Sequence, residues 1–124
     1  MTTPLVLLVD DNEGNRDLME LHLEGLPVRC VVASDGQSAL ESIAHDRPDL
    51  IMLDVMMPKM SGFEVCSKVK TQPELAHIHI VLLTAKGQEA DKEKGLSLGA
   101  NEYITKPFDP DNLYEYACEQ LGIE

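Results

Sequence analysis

The chain has 124 residues, 44% of them hydrophobic and 26% charged, which is room for one globular domain and little more. Ten basic residues against 22 acidic ones leave a formal charge of −12, a surface that repels polyphosphate backbones, so direct nucleic-acid binding is not expected. The longest unbroken apolar run, Leu5 to Val9, is far too short to span a bilayer, and no basic export signal follows Met1; no membrane association and a cytoplasmic location are expected.

Leu5 to Val9 suits a strand covered on both faces and ends at Asp10-Asp11. Asn12 to Gly25 reads as a helix with Leu18, Leu21 and His22 on one stripe and Gly25 as the stop. Val28 to Ala33 is β-branched and strand-like. Ser34 or Asp35 can cap the next helix, whose apolar stripe is Ala39, Leu40, Ile43 and Ala44. Leu50 to Leu53 predicts a third buried strand ending at Asp54, and Val55 to Ser61, with Pro58, a loop. Phe63, Cys66, Val69 and Lys70 follow at helical spacing. Ile78 to Leu83 predicts a fourth strand ending at Thr84, and Lys86 to Leu98 a polar helix closed by Gly99. Asn101 to Thr105 predicts a short fifth strand before Lys106. Asp109-Pro110 is a helix start, with Leu113, Tyr116, Ala117 and Leu121 as the buried face of that last helix.

Strict alternation of strands and helices predicts an α/β fold, a parallel sheet with helices on both faces. In such a sheet every strand points the same way. Asp10, Asp11, Asp54, Thr84 and Lys106 all follow or end strands, so they converge on the carboxyl edge, where open α/β sheets place their sites. Three carboxylates there repel one another unless a cation compensates them. Oxygen donors without histidine or cysteine favour magnesium over zinc, and magnesium leaves coordination positions for a phosphoryl group. Lys106 adds a positive charge and Thr84 a hydroxyl. A carboxylate nucleophile, a metal, a lysine and a hydroxyl suffice for phosphoryl transfer to aspartate.

The sequence resembles the receiver domains of two-component response regulators over essentially its whole length. The resemblance rests on Val9-Asp10-Asp11-Asn12, on Leu50 to Pro58 with Ser61-Gly62, on Leu82-Leu83-Thr84-Ala85, and on Gly99 to Phe108. It implies a flavodoxin-like, three-layer α/β/α fold: five parallel strands in the order 2-1-3-4-5, with five helices. It implies Asp54 as phosphoacceptor, and magnesium, with manganese as a substitute, held by Asp10, Asp11, Asp54 and the backbone carbonyl of Met56. Thr84 and Lys106 would bind the phosphoryl oxygens, and the small Ala85 would leave room beside them. Tyr103 matches the aromatic switch position, and Lys106-Pro107 a cis peptide. Met56 and Lys86 match positions that tune dephosphorylation; an apolar methionine and a long lysine there predict a long phosphoryl lifetime. Ser61 stands where many relatives have aspartate.

The resemblance further implies a signalling phosphoacceptor that catalyses only its own phosphorylation and dephosphorylation. A sensor histidine kinase or histidine phosphotransfer protein would supply the phosphoryl group. The surface of the fourth helix, fifth strand and fifth helix would signal to a downstream protein, with the chain monomeric or dimerising on phosphorylation. Residues 1–124 are expected to form a single receiver domain without an output domain. The alternative wiring is a receiver excised from a hybrid kinase, a nucleotide cyclase or a transcription factor.

Other features read as structural. Cys30, Cys66 and Cys118 are expected to be buried reduced thiols. Met52, Met56, Met57 and Met60 read as core and loop packing, and His77 and His79 as a solvated pair. Arg16 either balances the charge of Asp10-Asp11 or touches a partner helix. A phosphatase of the haloacid dehalogenase type would want an acid where Met56 stands, and the acids after the first strand would repel the phosphate of a flavin.

Overall fold

Alternate residues of the central strands go to opposite layers, and this alternation builds the molecule. The computed structural model describes residues 3–57, 59–85, 90–106 and 110–122; within these, only the backbone is described for His22, Ala85, residues 90–92, Lys106 and residues 110–113. The elements are β1 (Leu5–Val9), α1 (Glu13–His22), β2 (Arg29–Ala33), α2 (Gly36–His45), β3 (Leu50–Asp54), α3 (Gly62–Lys70), β4 (His79–Ala85), α4 (Ala90–Ser97), β5 (Glu102–Lys106) and α5 (Pro110–Leu121). All strand pairings are parallel, in the order β2-β1-β3-β4-β5, as the resemblance implies.

Val6 and Leu8 of β1, Leu50 and Met52 of β3, and Val81 and Leu83 of β4 pack on one side with Met19 and Leu23 of α1 and Ala117 of α5. Leu7 and Val9, Ile51 and Leu53, Ile80 and Leu82 pack on the other side with Ala39 and Ile43 of α2 and Phe63, Cys66 and Val69 of α3. A strand covered on both faces needs no polar positions, which is why β1, and β3 up to its final Asp54, are unbroken apolar runs.

Three helices start on side-chain caps: Asn12 accepts from the Asn15 N–H at 3.0 Å, Asp35 from the Ser38 N–H at 2.7 Å, and Ser61 from the Glu64 N–H at 3.3 Å. The Ser38 N–H, and after it the Ser38 hydroxyl, hold the Asp35 carboxyl below the usual carboxylate range. Of the two cap candidates before α2, the structure selects Asp35.

Several details differ from expectation. The buried stripe of α1 is Met19 and Leu23, while Leu18 and Leu21 are exposed. Both sets have helical spacing; the second set packs against Val6 and Leu8 of β1 and Ala117 of α5, and the half-buried Arg16, three residues before Met19, lies on the same stripe. Ala44 is exposed, because α2 faces the sheet through Gly36, Ala39 and Ile43. Val28 precedes β2, which begins at Arg29. Of the thiols, only Cys66 is fully buried, and burial pushes it up to about 11; Cys30 and Cys118 are half-buried. Met56 is exposed, whereas Met52 and Met57 lie in the core. His79 is half-buried and hydrogen-bonded to Tyr116, because β4 begins beneath α5, while His77 is exposed.

Candidate functional site

The carboxyl edge of the sheet gathers the residues that end its strands. Asp10 directly follows β1 and is buried; Asp11, next in the chain, is exposed; Asp54 is the last residue of β3 and is 6% exposed. Each of the three offers a carboxylate oxygen, and these oxygens all lie within 4.8 Å of one another. One Asp10 oxygen accepts from the Asn12 N–H at 2.9 Å and from the Asn15 side-chain amide at 3.5 Å, while Arg16 Nη1 donates to the Asp10 carbonyl at 2.8 Å. The start of α1 thus fixes how Asp10 faces its neighbours. Arg16 and Asn15 take part in that fixing; Asn15 was not singled out by sequence, and its signal is its position three residues after a capping asparagine.

Asp54 is held by the turn that follows it. A Cβ on Gly62 would sit 2.4 Å from the Asp54 carbonyl oxygen and 2.9 Å from Val55 Cα, so only glycine lets α3 start this close to the end of β3. The Gly62 N–H closes the turn by donating to the Val55 carbonyl at 3.0 Å. Lys59 takes the left-handed conformation, φ 69°, that turns the loop back.

Thr84 lies one residue beyond Leu83, the β4 partner of Asp54, and is 1% exposed. Its hydroxyl is buried with no hydrogen-bond partner among the described residues. A buried hydroxyl left unpaired destabilises a fold by about 1–3 kcal/mol, so such an atom at a sheet edge needs a reason. Ala85 pairs in register with Lys106, which puts the ends of β4 and β5 side by side; the side chains of both lie outside the described residues. So do Lys86 and Pro107 altogether, and with them the expected cis peptide. Met56 is 62% exposed in the loop after β3. Tyr103 sits three residues before Lys106 in β5, half-buried against the core on the α2 and α3 side, away from the acid cluster along the strand.

The donor set is therefore three carboxylates without sulfur or imidazole, which suits a hard divalent cation. Two oxygens from buried groups and one exposed acid leave the solvent side open to a second anion. No helix among the described residues is long and apolar enough to cross a membrane.

Comparison with known proteins identifies the family. The family model for the response regulator receiver domain matches residues 6–117. The chain is 46% identical over 105 residues to the alkaline phosphatase synthesis transcriptional regulatory protein PhoP of Bacillus subtilis, covering 85% of this chain and 43% of that protein. It is 45% identical over 109 residues to the response regulator PleD of Caulobacter vibrioides, covering 88% of this chain and 24% of PleD. The chain thus spans less than half the length of these curated relatives. Among solved structures, the Vibrio cholerae chemotaxis protein CheY4 superimposes with a TM-score of 0.87 at 31% identity, covering 95% of this chain and 98% of CheY4. The signal receiver domain of a histidine kinase from Syntrophus aciditrophicus superimposes with a TM-score of 0.89 at 31% identity, covering 97% of this chain and 91% of that one.

Proposed function

The chain belongs to the response regulator receiver domain family, and on that premise we propose that it accepts a phosphoryl group on Asp54 and signals through the change this causes. The observation that carries the reading is the Thr84 hydroxyl, buried and without a hydrogen-bond partner among the described residues, one strand over from a cluster of three carboxylates. A phosphoryl oxygen placed on Asp54 would give that hydroxyl an acceptor.

In the proposed reaction, a sensor histidine kinase or a histidine phosphotransfer protein presents a phosphohistidine at the carboxyl edge. An Asp54 carboxylate oxygen forms the new bond to phosphorus in line with the breaking P–N bond. The electron pair of that bond returns to the imidazole nitrogen, which takes up a proton. Asp10, Asp11 and Asp54, with the backbone carbonyl of Met56, would hold magnesium, or manganese in its place. When bound, the ion supplies positive charge against the crowded oxygens. Arg16 and the Asn12 N–H keep Asp10 oriented, Gly62 keeps the end of β3 in place, and Lys106 would pair with a phosphoryl oxygen beside the space left by Ala85. Hydrolysis of the acyl phosphate returns the carboxylate. Met56, exposed two residues from Asp54, and Lys86 would slow the approach of the attacking water.

The new dianion draws Thr84 toward it. Tyr103 then turns inward, and the surface formed by α4, β5 and α5 changes, a shift between two states biased by one local charge. The protein would act as a cytoplasmic switch for a downstream protein, monomeric or dimerising on phosphorylation, rather than as an enzyme with turnover on external substrates. A second wiring, this receiver as one part of a longer regulator, is supported by the length of the curated relatives.

Intact-mass spectrometry after incubation with acetyl phosphate and magnesium tests the reading beside Asp54→Asn. One phosphoryl mass gained by the wild type alone is the expected result. If the wild type gains none and also fails to bind beryllofluoride, a phosphoryl analogue, the reading is wrong.

A further inference from the structure

The two edges of the sheet differ. β5 carries charged residues, Glu102 and Lys106, at its ends, the kind of side chain that keeps an edge strand from pairing with another chain. β2, at the other edge, carries only Arg29, at its first position, followed by Cys30, Val31, Val32 and Ala33. Arg29 is turned to Asp46, 3.2 Å away. Val31 and Val32, on opposite faces of the strand, are 38% and 42% exposed. A short edge strand with apolar residues on both faces and its outer backbone groups unpaired by the sheet is a template for another strand.

The face of this edge on the α1 side opens into a groove of about 590 Å³ between α1 and β2. Its floor includes Leu21, Val28 and Cys30, and Leu21 is 60% exposed. Its rim is acidic: Asp17, Glu20 and Glu24 repeat along one stripe of α1 and its continuation, at spacings of three and four. Glu20 bears on the floor directly, since its carboxylate, after burial, helps push the Cys30 thiol up. Arg16, the cation of α1, is held away on the Asp10 carbonyl.

We propose that the β2 edge and its groove bind an extended basic segment of a partner protein, which adds as a sixth strand. The alternation of a strand fits the two faces. One set of side chains, lysine or arginine, lays its aliphatic stem along Cys30 and Val32 and carries its charge to Glu20 and Glu24. The other set, apolar, covers Val31. Charge decides between this occupant and a second copy of the chain. Edge-to-edge pairing of two copies would bring two acidic rims together, each on a molecule of charge −12, whereas a basic segment relieves that repulsion. The groove lies at the C-terminal half of α1 and the start of β2, toward the amino edge of the sheet, so this docking is distinct from the phosphoacceptor edge.

The probe is a synthetic blocked hexapeptide of alternating lysine and valine, with glutamate in place of lysine as its control. Binding is read by nuclear magnetic resonance and amide hydrogen exchange on the labelled protein. The lysine peptide is expected to shift residues 20–32 and to protect β2 amides that do not bond to β1; the glutamate peptide is expected to do neither. The double charge reversal Glu20→Lys, Glu24→Lys is expected to weaken binding by about tenfold or more. Val31→Lys, which blocks the edge but leaves the acidic rim, is expected to abolish β2 protection. Binding that survives Val31→Lys unchanged would mean loose charge attraction, and overturns the proposal. Absence of β2 protection overturns it as well, as does concentration-dependent β2 protection without peptide, which would mark self-association.

Discussion

Replacing Thr84 by valine separates the unphosphorylated site from one that carries a phosphoryl analogue. Thr84 is 1% exposed, and its hydroxyl has no hydrogen-bond partner among the described residues. Valine keeps the branched shape and puts a methyl group where the hydroxyl was. An unpaired buried hydroxyl destabilises by about 1–3 kcal/mol, so Thr84→Val should raise stability by about 1 kcal/mol, after allowing for the slightly larger methyl group. For a domain of this size that is a rise in Tm of about 3–5 °C. With beryllofluoride on Asp54 the sign reverses. The wild-type hydroxyl gains a charged acceptor and the valine does not, so the variant should bind the analogue about 1.5 kcal/mol more weakly, roughly tenfold in affinity. Urea denaturation with and without beryllofluoride measures both halves. Destabilisation by Thr84→Val without the analogue, or equal stabilisation of the two proteins by the analogue, would refute this role of Thr84.

Gly62→Ala should lower stability by about 2 kcal/mol despite alanine's better helix propensity, because its Cβ would meet the Asp54 carbonyl oxygen at 2.4 Å, a backbone atom; the urea midpoint checks this. Gly95→Ala meets side chains and no backbone, the buried Leu82 Cδ1 methyl at 2.5 Å and Phe63 Cε1 at 3.5 Å; the shift it forces on Leu82 is set against alanine's better helix propensity, and stability should change by less than about 1 kcal/mol. Asp11→Asn should weaken magnesium binding while relieving repulsion in the acid cluster, giving a slightly higher Tm in chelator and a smaller Tm rise on adding magnesium. Met56→Asn should shorten the phosphoryl lifetime several-fold, about 3–10-fold, by admitting water beside Asp54, as followed by loss of phosphoryl mass with time. His79 gives a pH signature. Burial, and then the Lys70 charge, hold its imidazole below the usual 6.5, against an opposing pull from Glu102. The unfolded chain therefore binds the proton more readily, so the His79 contribution is fully present above 6.5 and is lost as pH falls below it. Tm measured at about pH 7.5 and about pH 5.5 should drop more for wild type than for His79→Gln.

Much of this protein is written in local pattern. Apolar runs of four or five residues bounded by turn residues suit strands covered on both faces, so β1 and residues 50–53 of β3 point to a parallel sheet with helices on either side. Polarity returns where those runs end, so the acids that follow them fall on one edge, and the proximity of Asp10, Asp11 and Asp54 was legible from position alone. Tertiary structure decided what periodicity leaves degenerate. Two stripes of α1 have helical spacing, and packing against the sheet and Ala117 buries Met19 and Leu23 while Leu21 stays exposed. The need for glycine at position 62 comes from how closely α3 approaches β3, a distance no residue type encodes by itself. The Thr84 hydroxyl, without a partner among the described residues, and the hydrogen bond between Tyr116 and His79 likewise depend on which neighbours arrive from elements distant in the chain. Local sequence sets which residues prefer a strand, a helix or a turn; only the packed chain sets which polar atoms find partners and which are left for a ligand.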